Sequence, residues 1–141
     1  MTIEQAQTYR EKIIELLTAE KLPLTDLPET LDNFIVAISY GSVVGAGGVE
    51  VYGNYGLIRS LAVHPQYRNK GIGSNLLTRL ENTSKMKGLT ALYLLTEGAS
   101  GYFERHSYYQ VSRQDVPAEL QQSSQFTHVC PVSAGIYKKI L

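Results

Sequence analysis

The residues best suited to chemistry lie in one turn, Arg68-Asn69-Lys70-Gly71-Ile72-Gly73. An apolar segment, 57–63, precedes this turn, and a segment with leucines at helical spacing follows it. The N-terminus of a helix leaves backbone N–H groups without intrahelical partners, and these groups attract anions. Glycines let a ligand approach the backbone closely, while Arg68 and Lys70 add positive charge. The turn therefore predicts a pyrophosphate site; the alternative is a surface turn with incidental charges.

Two charged residues on neighbouring predicted strands form a second set of candidates. Arg59 interrupts an apolar strand, and a charged side chain is rarely buried without a partner. It either pairs structurally with Glu50 or binds a carboxylate or phosphinate of a substrate, which a guanidinium contacts through two hydrogen bonds. Glu50 is either that structural partner or a general base that accepts, through water, the proton of a substrate ammonium group. The sequence leaves both alternatives open.

The elements that position these residues follow from periodicity and turn chemistry. Thr8 and Glu11 read as a capping box at the start of a helix that ends near Lys21. Gly88 is a natural residue to close the helix that follows the glycine turn. Strands are predicted at 2–6, 34–40, 43–51, 57–63, 89–96, 108–113 and 137–141, and further helices at 73–87 and 99–106, with 22–33 and 114–124 irregular. The helical crossover places 57–63 and 89–96 parallel, which predicts one α/β (α+β) domain, 1–141, with a mixed sheet.

Composition excludes some classes of function. The chain has 141 residues, with thirteen basic and thirteen acidic side chains, so its formal net charge of zero argues against a general nucleic-acid binder. No apolar run approaches the roughly 20 residues that cross a bilayer, which predicts no membrane partner. No signal peptide is visible, and a cytoplasmic protein is expected.

One cysteine, Cys130, and the absence of zinc-type spacing predict no metal, and Cys130 is interpreted as a buried thiol and not as a nucleophile. Of the histidines, His64 is expected to be structural, and His106 and His128 receive no role.

The Arg-x-x-Gly-x-Gly turn, with Val63-His64-Pro65 upstream and the strand LYLLT and a further helix downstream, resembles the Gcn5-related N-acetyltransferase (GNAT) family. The resemblance implies transfer of an acetyl group from acetyl-CoA to an amine, with no metal. It also implies a mostly antiparallel sheet whose parallel central strands diverge around acetyl-CoA.

The resemblance also implies site residues. The backbone amides of the turn would hold the pyrophosphate, strand backbone would meet the pantetheine arm and thioester, and the helix after LYLLT would line the far side near the thiol. The turn amides are those of Arg68, Asn69, Lys70, Gly71, Ile72, Gly73 and Ser74. The strand residues are Leu61, Ala62 and Val63. The helix residues are Ala99, Tyr102 and Phe103. Strand amides near 61–63 would stabilise the oxyanion.

The general acid is where the chain departs from the family pattern. Many members have F-Y-E-R-x-G-F, but here position 103 is Phe, so the usual phenol is missing. Tyr102 is the candidate acid, although it points about 100° away from position 103 on a helix. Tyr108 and Tyr109 are alternatives, and the thiolate can also take its proton from water, since thiol pKa values lie near 8.5.

Smaller features resemble one branch of the family. GLIRSLAVHP, LYLLT and CPVSA at 130–134 are similar to enzymes that acetylate arsinothricin and phosphinothricin, which are glutamate-like amino acids. In that case Arg59 would bind a small anionic substrate, and 125–134 would form a lid. The alternatives are acetylation of a peptide N-terminus or another amine, and a non-catalytic CoA-binding sensor or partner module. Exposed C-terminal strands often pair between subunits in this fold, which suggests a homodimer.

Overall fold

The computed structural model describes residues 1–22, 24, 27–123, 126 and 134–141. The described strands form one seven-stranded sheet in the order β1-β2-β3-β4-β5-β7-β6. Its strands are β1 (Thr2–Gln5), β2 (Phe34–Ser39), β3 (Ser42–Tyr52), β4 (Tyr55–Val63), β5 (Ala91–Thr96), β6 (Tyr109–Val111) and β7 (Gly135–Ile140). Its helices are α1 (Arg10–Ala19), α2 (Ile72–Met86), α3 (Ser100–Arg105) and α4 (Ala118–Gln121). Only β4 and β5 pair in parallel, so the predicted mixed sheet is confirmed.

Helices cover both faces of the sheet, because alternate residues of each strand point to opposite sides. On one face, the apolar stripe of α2 and Phe103 of α3 pack with Ile58 of β4. On the other face, α1 packs on β2 to β4, and α4 places Leu120 against Leu57 and Tyr93. No helix in the described part of the chain is long and apolar enough to span a bilayer.

The predicted cap of the first helix is wrong. Thr8 does not cap α1, because Gln7–Tyr9 form a 3-10 turn in which the amide of Tyr9 donates to the carbonyl of Ala6 (2.9 Å). This turn buries Ala6 and moves the start of the helix to Arg10, where no side-chain cap is present. α1 ends at Ala19, close to the predicted end near Lys21, whose positive φ of 58° follows the last helical turn.

The end of α2 is as predicted. Gly88 has a φ of 87°, and its amide donates to the carbonyl of Lys85 (3.0 Å). The amide of Leu89 donates to the carbonyl of Ser84 (3.1 Å). These bonds satisfy carbonyls that a helix end leaves free.

Two expectations for the last third of the chain need correction. The segment 114–124 is not wholly irregular, because it contains α4, whose Leu120 is fully buried. Four residues are too short for a periodic signal. β7 is the last strand in sequence but not at the edge of the sheet, since it pairs with both β5 and β6.

Candidate active site

A cleft opens where the two parallel strands separate. β4 and β5 are paired only from Tyr55 to Leu57, opposite Ala91 to Tyr93. Beyond this point their facing edges enclose a cavity of about 840 Å³, which also reaches the start of α2 and one side of α3. Among the described residues, no strand pairs with the backbone N–H and C=O groups of 58–63 that point toward β5. Such an edge can pair with an extended ligand as it would with a strand.

The structure brings most of the predicted site residues to this cleft. Its lining includes Arg59, Leu61, Ala62, Val63, Arg68, Asn69, Gly71, Ile72, Gly73, Ser74, Ala99, Tyr102 and Phe103. Two predicted residues, Lys70 and Glu50, do not line it. Lys70 instead places its ammonium 5.4 Å from the centre of the Tyr67 ring.

A bulge in β4 lies beside the cleft. Arg59 pairs with Gly48 and Ala62 with Ala46, so Ser60 and Leu61 together lie opposite the single residue Gly47. Ser60 has a φ of 59°, a left-handed conformation that few side chains adopt. The extra residue resets the alternation of the strand, so that Leu61 contacts the α2 side and Ala62 the α1 side. Bulges of this kind re-aim backbone groups and side chains at functional sites.

The first turn of α2 closes one end of the cleft. Gly71 caps the helix with a φ of 80°, and the amide of Asn75 donates to the carbonyl of Gly71 (3.0 Å). The amides of residues 72–74 precede that first helical bond, so they are the donors that a helix leaves free for an anion. A side chain at Gly73 would place its Cβ 2.9 Å from the hydroxyl of Tyr102, so this position is crowded.

Arg68 is not an isolated cation in this structure. Its guanidinium forms an ion pair with Glu20, which follows α1, and its Nε donates to the carbonyl of Val63 (3.2 Å). Glu20 also lines the cleft, a position that no local sequence motif indicates. Because the Glu20 carboxylate offsets much of the Arg68 charge, the backbone amides carry a larger share of the attraction for an anion.

The wall formed by α3 supplies aromatic and polar side chains. Phe103 is 7% exposed and belongs to the core cluster on the α2 side. Tyr102 lies edge-on to Phe103 and 4.8 Å, centre to centre, from the ring of His106. A hydrogen bond of 3.2 Å joins His106 Nε2 to Ser74 Oγ on α2. Sequence reasoning gave His106 no role, because nothing in the local pattern shows that α3 meets the first turn of α2.

Arg59 and Glu50 form the ion pair that the sequence allowed. The guanidinium of Arg59 donates to Glu50 across 3.4 Å, and the two side chains are 1% and 16% exposed. Arg59 Nε also donates to Ser60 Oγ (3.1 Å), and the hydroxyl of Tyr52 donates to the second oxygen of Glu50 (3.1 Å). Arg59 is also among the residues that line the cleft, although only 1% of its side chain is exposed.

The alternative proton donors Tyr108 and Tyr109 do not line the cleft. The hydroxyl of Tyr108 donates to Glu81 (2.9 Å), which also accepts from Lys139 (3.1 Å). Burial, followed by the charge of Glu81, raises the pKa of Tyr108 far above its ordinary value. Tyr109 lies on β6 and is 45% exposed. Neither phenol is therefore placed to protonate a group in the cleft.

The predictions about the segment near the C-terminus lie outside the described residues. Cys130, His128 and the first four residues of CPVSA are among these, as is most of the expected lid at 125–134. Within the described residues, no three His, Cys, Asp or Glu side chains form a group that could hold a metal ion.

Comparison with known proteins identifies relatives of the chain. An uncharacterized N-acetyltransferase of Chlorobaculum tepidum (CT2212) is 32% identical over 71% of this chain and 64% of its own length. An amino-acid acetyltransferase of Mycobacterium tuberculosis is 33% identical over 80% of this chain and 64% of its own length. The crystal structure of Rv2747 from Mycobacterium tuberculosis, in complex with CoA and NLQ, superposes with a TM-score of 0.83 at 24% identity and covers 100% of this chain and 99% of that one. The chain spans less than two thirds of the length of the curated relatives named here.

The family itself follows from a domain-level match. The family model described as "Acetyltransferase (GNAT) domain" matches residues 30–110, which include β2 to β5, the glycine turn and α3. This match covers more than half of the chain and contains most of the cleft. The chain therefore belongs to the GNAT acetyltransferase family.

Proposed function

We propose that this protein is an N-acetyltransferase that transfers the acetyl group of acetyl-CoA to the amine of a small, anionic, amino-acid-like substrate. The observation that carries the proposal is the shape of the cleft. It has an open strand edge along β4, free helix amides at one end and a buried arginine, Arg59, in its lining. Membership of the GNAT family and the 33% identity to an amino-acid acetyltransferase support both the reaction and the substrate class.

The residues present fit acetyl-CoA. Amides of residues 72–74 and the guanidinium of Arg68 are available to the pyrophosphate, although Glu20 shares Arg68. The edge of residues 61–63 offers backbone donors and acceptors to the amide-containing pantetheine arm, as the resemblance implied. Ala99 and Phe103 line the opposite side with apolar surface. Acetyl-CoA supplies an activated thioester when it is bound.

The residues of the chain then bind, orient and move protons. Backbone amides beside the bulge, at 61–63, are the donors proposed for the oxyanion. Glu50 remains the proposed base; because it lies behind Arg59 and outside the cleft lining, it would act through water. An α-amine has a reference pKa near 8, so a modest base suffices. Tyr102, the general acid that the sequence suggested, lies on the α3 wall of the cleft, and the departing thiolate can also take its proton from water.

The proposed acceptor is glutamate-like, of the arsinothricin or phosphinothricin type. Arg59 is the reason: its planar guanidinium suits a carboxylate, phosphinate or arsinate. A cationic polyamine is the less suitable acceptor, because the guanidinium of Arg59 would repel it, although Glu50 offsets part of this charge. A peptide N-terminus is the other amine considered, and a CoA-binding module without turnover is the alternative of another class, since Phe103 replaces the usual phenol.

A homodimer is also proposed, and an exposed edge strand of the sheet would form its interface. Within the described residues, β7 pairs with β5 along its whole length and with β6 at residues 136–138, so most of its backbone is not free to bind a second copy. The strands at the two ends of the sheet are β1 and β6. Any pairing of sheets between subunits would therefore use one of these.

A thiol-release assay over a panel of amines tests the proposed function. The panel contains phosphinothricin, glutamate, a peptide with a free N-terminus and spermidine, with mass spectrometry of the acceptor to show acetylation. We expect acetyl-CoA-dependent release of CoA that is fastest with phosphinothricin or glutamate. Preference for spermidine would overturn the substrate class. Binding of CoA without acetylation of any amine would favour the non-catalytic module.

A further inference from the structure

The hydroxyl of Tyr102 is a buried polar group that nothing in the described part of the chain satisfies. The oxygen is inaccessible to solvent and has no hydrogen-bond partner among the described residues. A buried, unsatisfied hydroxyl costs about 1–3 kcal/mol, so native structures usually provide a partner or bind one. Tyr102 lines the cleft, so a bound ligand that displaces the atoms covering this oxygen can supply that partner.

The position of this hydroxyl identifies which part of a ligand it would meet. It lies at the first turn of α2, since a Cβ added at Gly73 would be 2.9 Å from it, and 3.6 Å from a methyl of Val63. Ser60 and Leu61, which form the bulge, lie two to three residues away from Val63 along β4. At about 3.3 Å per residue this is roughly 7–10 Å. The hydroxyl is thus at the anion-binding end of the cleft and not beside the bulge.

Contacts between α3 and α2 fix this arrangement. The bond between His106 and Ser74 joins α3 to the first turn of α2, and the ring of Tyr102 packs against those of His106 and Phe103. Because the rings hold Tyr102 from two sides, its hydroxyl is directed toward the same turn whose amides lack intrahelical partners.

We propose that the hydroxyl of Tyr102 donates a hydrogen bond to a pyrophosphate oxygen of the bound cofactor, so that Tyr102 binds the cofactor instead of protonating the departing thiolate. This inference rests on the proposed function. It assigns the phosphate site two walls, the first turn of α2 and the side of α3. A neutral donor is well suited to this place, because the nearby cation, Arg68, is shared with Glu20.

Tyr102→Phe tests this role by binding and stability together. Isothermal titration calorimetry would measure the Kd of CoA and of pantetheine, which lacks the pyrophosphate, and thermal unfolding would measure the stability of the ligand-free protein. Loss of a hydrogen bond to a charged oxygen is expected to raise the Kd of CoA by about 10- to 100-fold. The Kd of pantetheine should not change, and the Tm of the free protein should stay the same or rise, because an unsatisfied hydroxyl has been removed. Tyr40→Phe, which removes the fully exposed phenol of a hairpin turn, is the matched control.

Kinetics separate this role from that of a general acid. A cofactor-binding hydroxyl raises the KM for acetyl-CoA, whereas loss of a general acid lowers kcat by roughly 10²- to 10⁴-fold with the Kd of CoA unchanged. A fall of that size in kcat at saturating acetyl-CoA, or an unchanged Kd of CoA, would overturn the inference. A lowered Tm with an unchanged Kd would show a purely structural role and would also overturn it. If the wild-type protein binds no CoA at all, the proposed function fails as well, so the two failures are distinguishable.

Discussion

Replacing Arg59 with methionine separates a structural role from a role in substrate binding. Its side chain is 1% exposed and pairs with Glu50, which is 16% exposed and keeps a hydrogen bond from Tyr52. Removing one partner of a buried pair costs about 3–5 kcal/mol, since the remaining charge stays buried. Because Glu50 retains some solvent contact, we expect the lower end, about 3 kcal/mol. For a chain of this size the loss corresponds to a fall in Tm of roughly 10 °C.

A second substitution, Glu50→Gln, separates the effect on stability from the effect on substrate binding. In the double variant Glu50→Gln, Arg59→Met no charge remains buried, so most of the lost stability should return. The KM for an anionic acceptor should not recover, because the guanidinium is still missing. We expect this KM to be at least about tenfold higher than in the wild type, because a charge-assisted hydrogen bond is lost. Denaturant unfolding and initial rates at saturating acetyl-CoA measure the two quantities.

Two results would refute this reasoning. If Arg59→Met lowers stability but leaves the KM of the anionic acceptor at its wild-type value, Arg59 has a structural role and does not bind the acceptor. If the double variant recovers both stability and KM, the acceptor does not contact the guanidinium. Arg59→Lys is the matched control, since it keeps the charge but not the planar, two-pronged hydrogen-bonding group.

Three further substitutions test other parts of the structure. Glu20→Gln should release Arg68 for the cofactor and tighten CoA binding by up to about fivefold, the value of an exposed ion pair; unchanged affinity in calorimetry would show that the pair does not compete with the cofactor. Gly48→Ala should destabilise the protein by about 1–3 kcal/mol in denaturant unfolding, because the new Cβ would lie 2.4 Å from the ring of the phenylalanine opposite on β2; wild-type stability would show that this ring can move at little cost. Burial and Glu81 raise the folded-state pKa of Tyr108 above the unfolded value of 10.0. The contribution of Tyr108 to stability is therefore fully present below pH 10. It is lost as the pH rises beyond 10, by up to about 1.4 kcal/mol per pH unit. Tyr108→Phe should therefore lose less stability than the wild type between pH 10 and pH 12, and equal slopes would contradict the assignment.

The parts of the fold that the sequence predicted correctly have strong local signals. The apolar, β-branched run of β2, the leucine stripe of α2 and the glycine at 88 each encode their own geometry. Thr8 failed as a cap because burial of Ala6 stabilised a 3-10 turn that the local pattern does not show. α4 was missed because it is one turn long, and the place of β7 inside the sheet depends on pairing between distant segments.

The candidate site likewise contains residues that the sequence indicated and residues that it did not. The turn at 68–74 was visible because glycines and charges are adjacent in the sequence. Glu20 and His106 were missed because each reaches the cleft from an element far away in the chain, and only the packing of α1 and α3 brings them there. The pairing of Arg59 with Glu50 was one of two alternatives that the sequence offered, and the strand register places them diagonally on the same face.

A crystal structure of the protein with CoA tests the central claim most directly. We expect the pyrophosphate within hydrogen-bond distance of the amides of residues 72–74, and the pantetheine arm along the open edge of β4, between β4 and β5. Density for CoA at any other surface, or a cleft that stays empty at saturating CoA, would contradict the assignment of this cleft as the acetyl-CoA site.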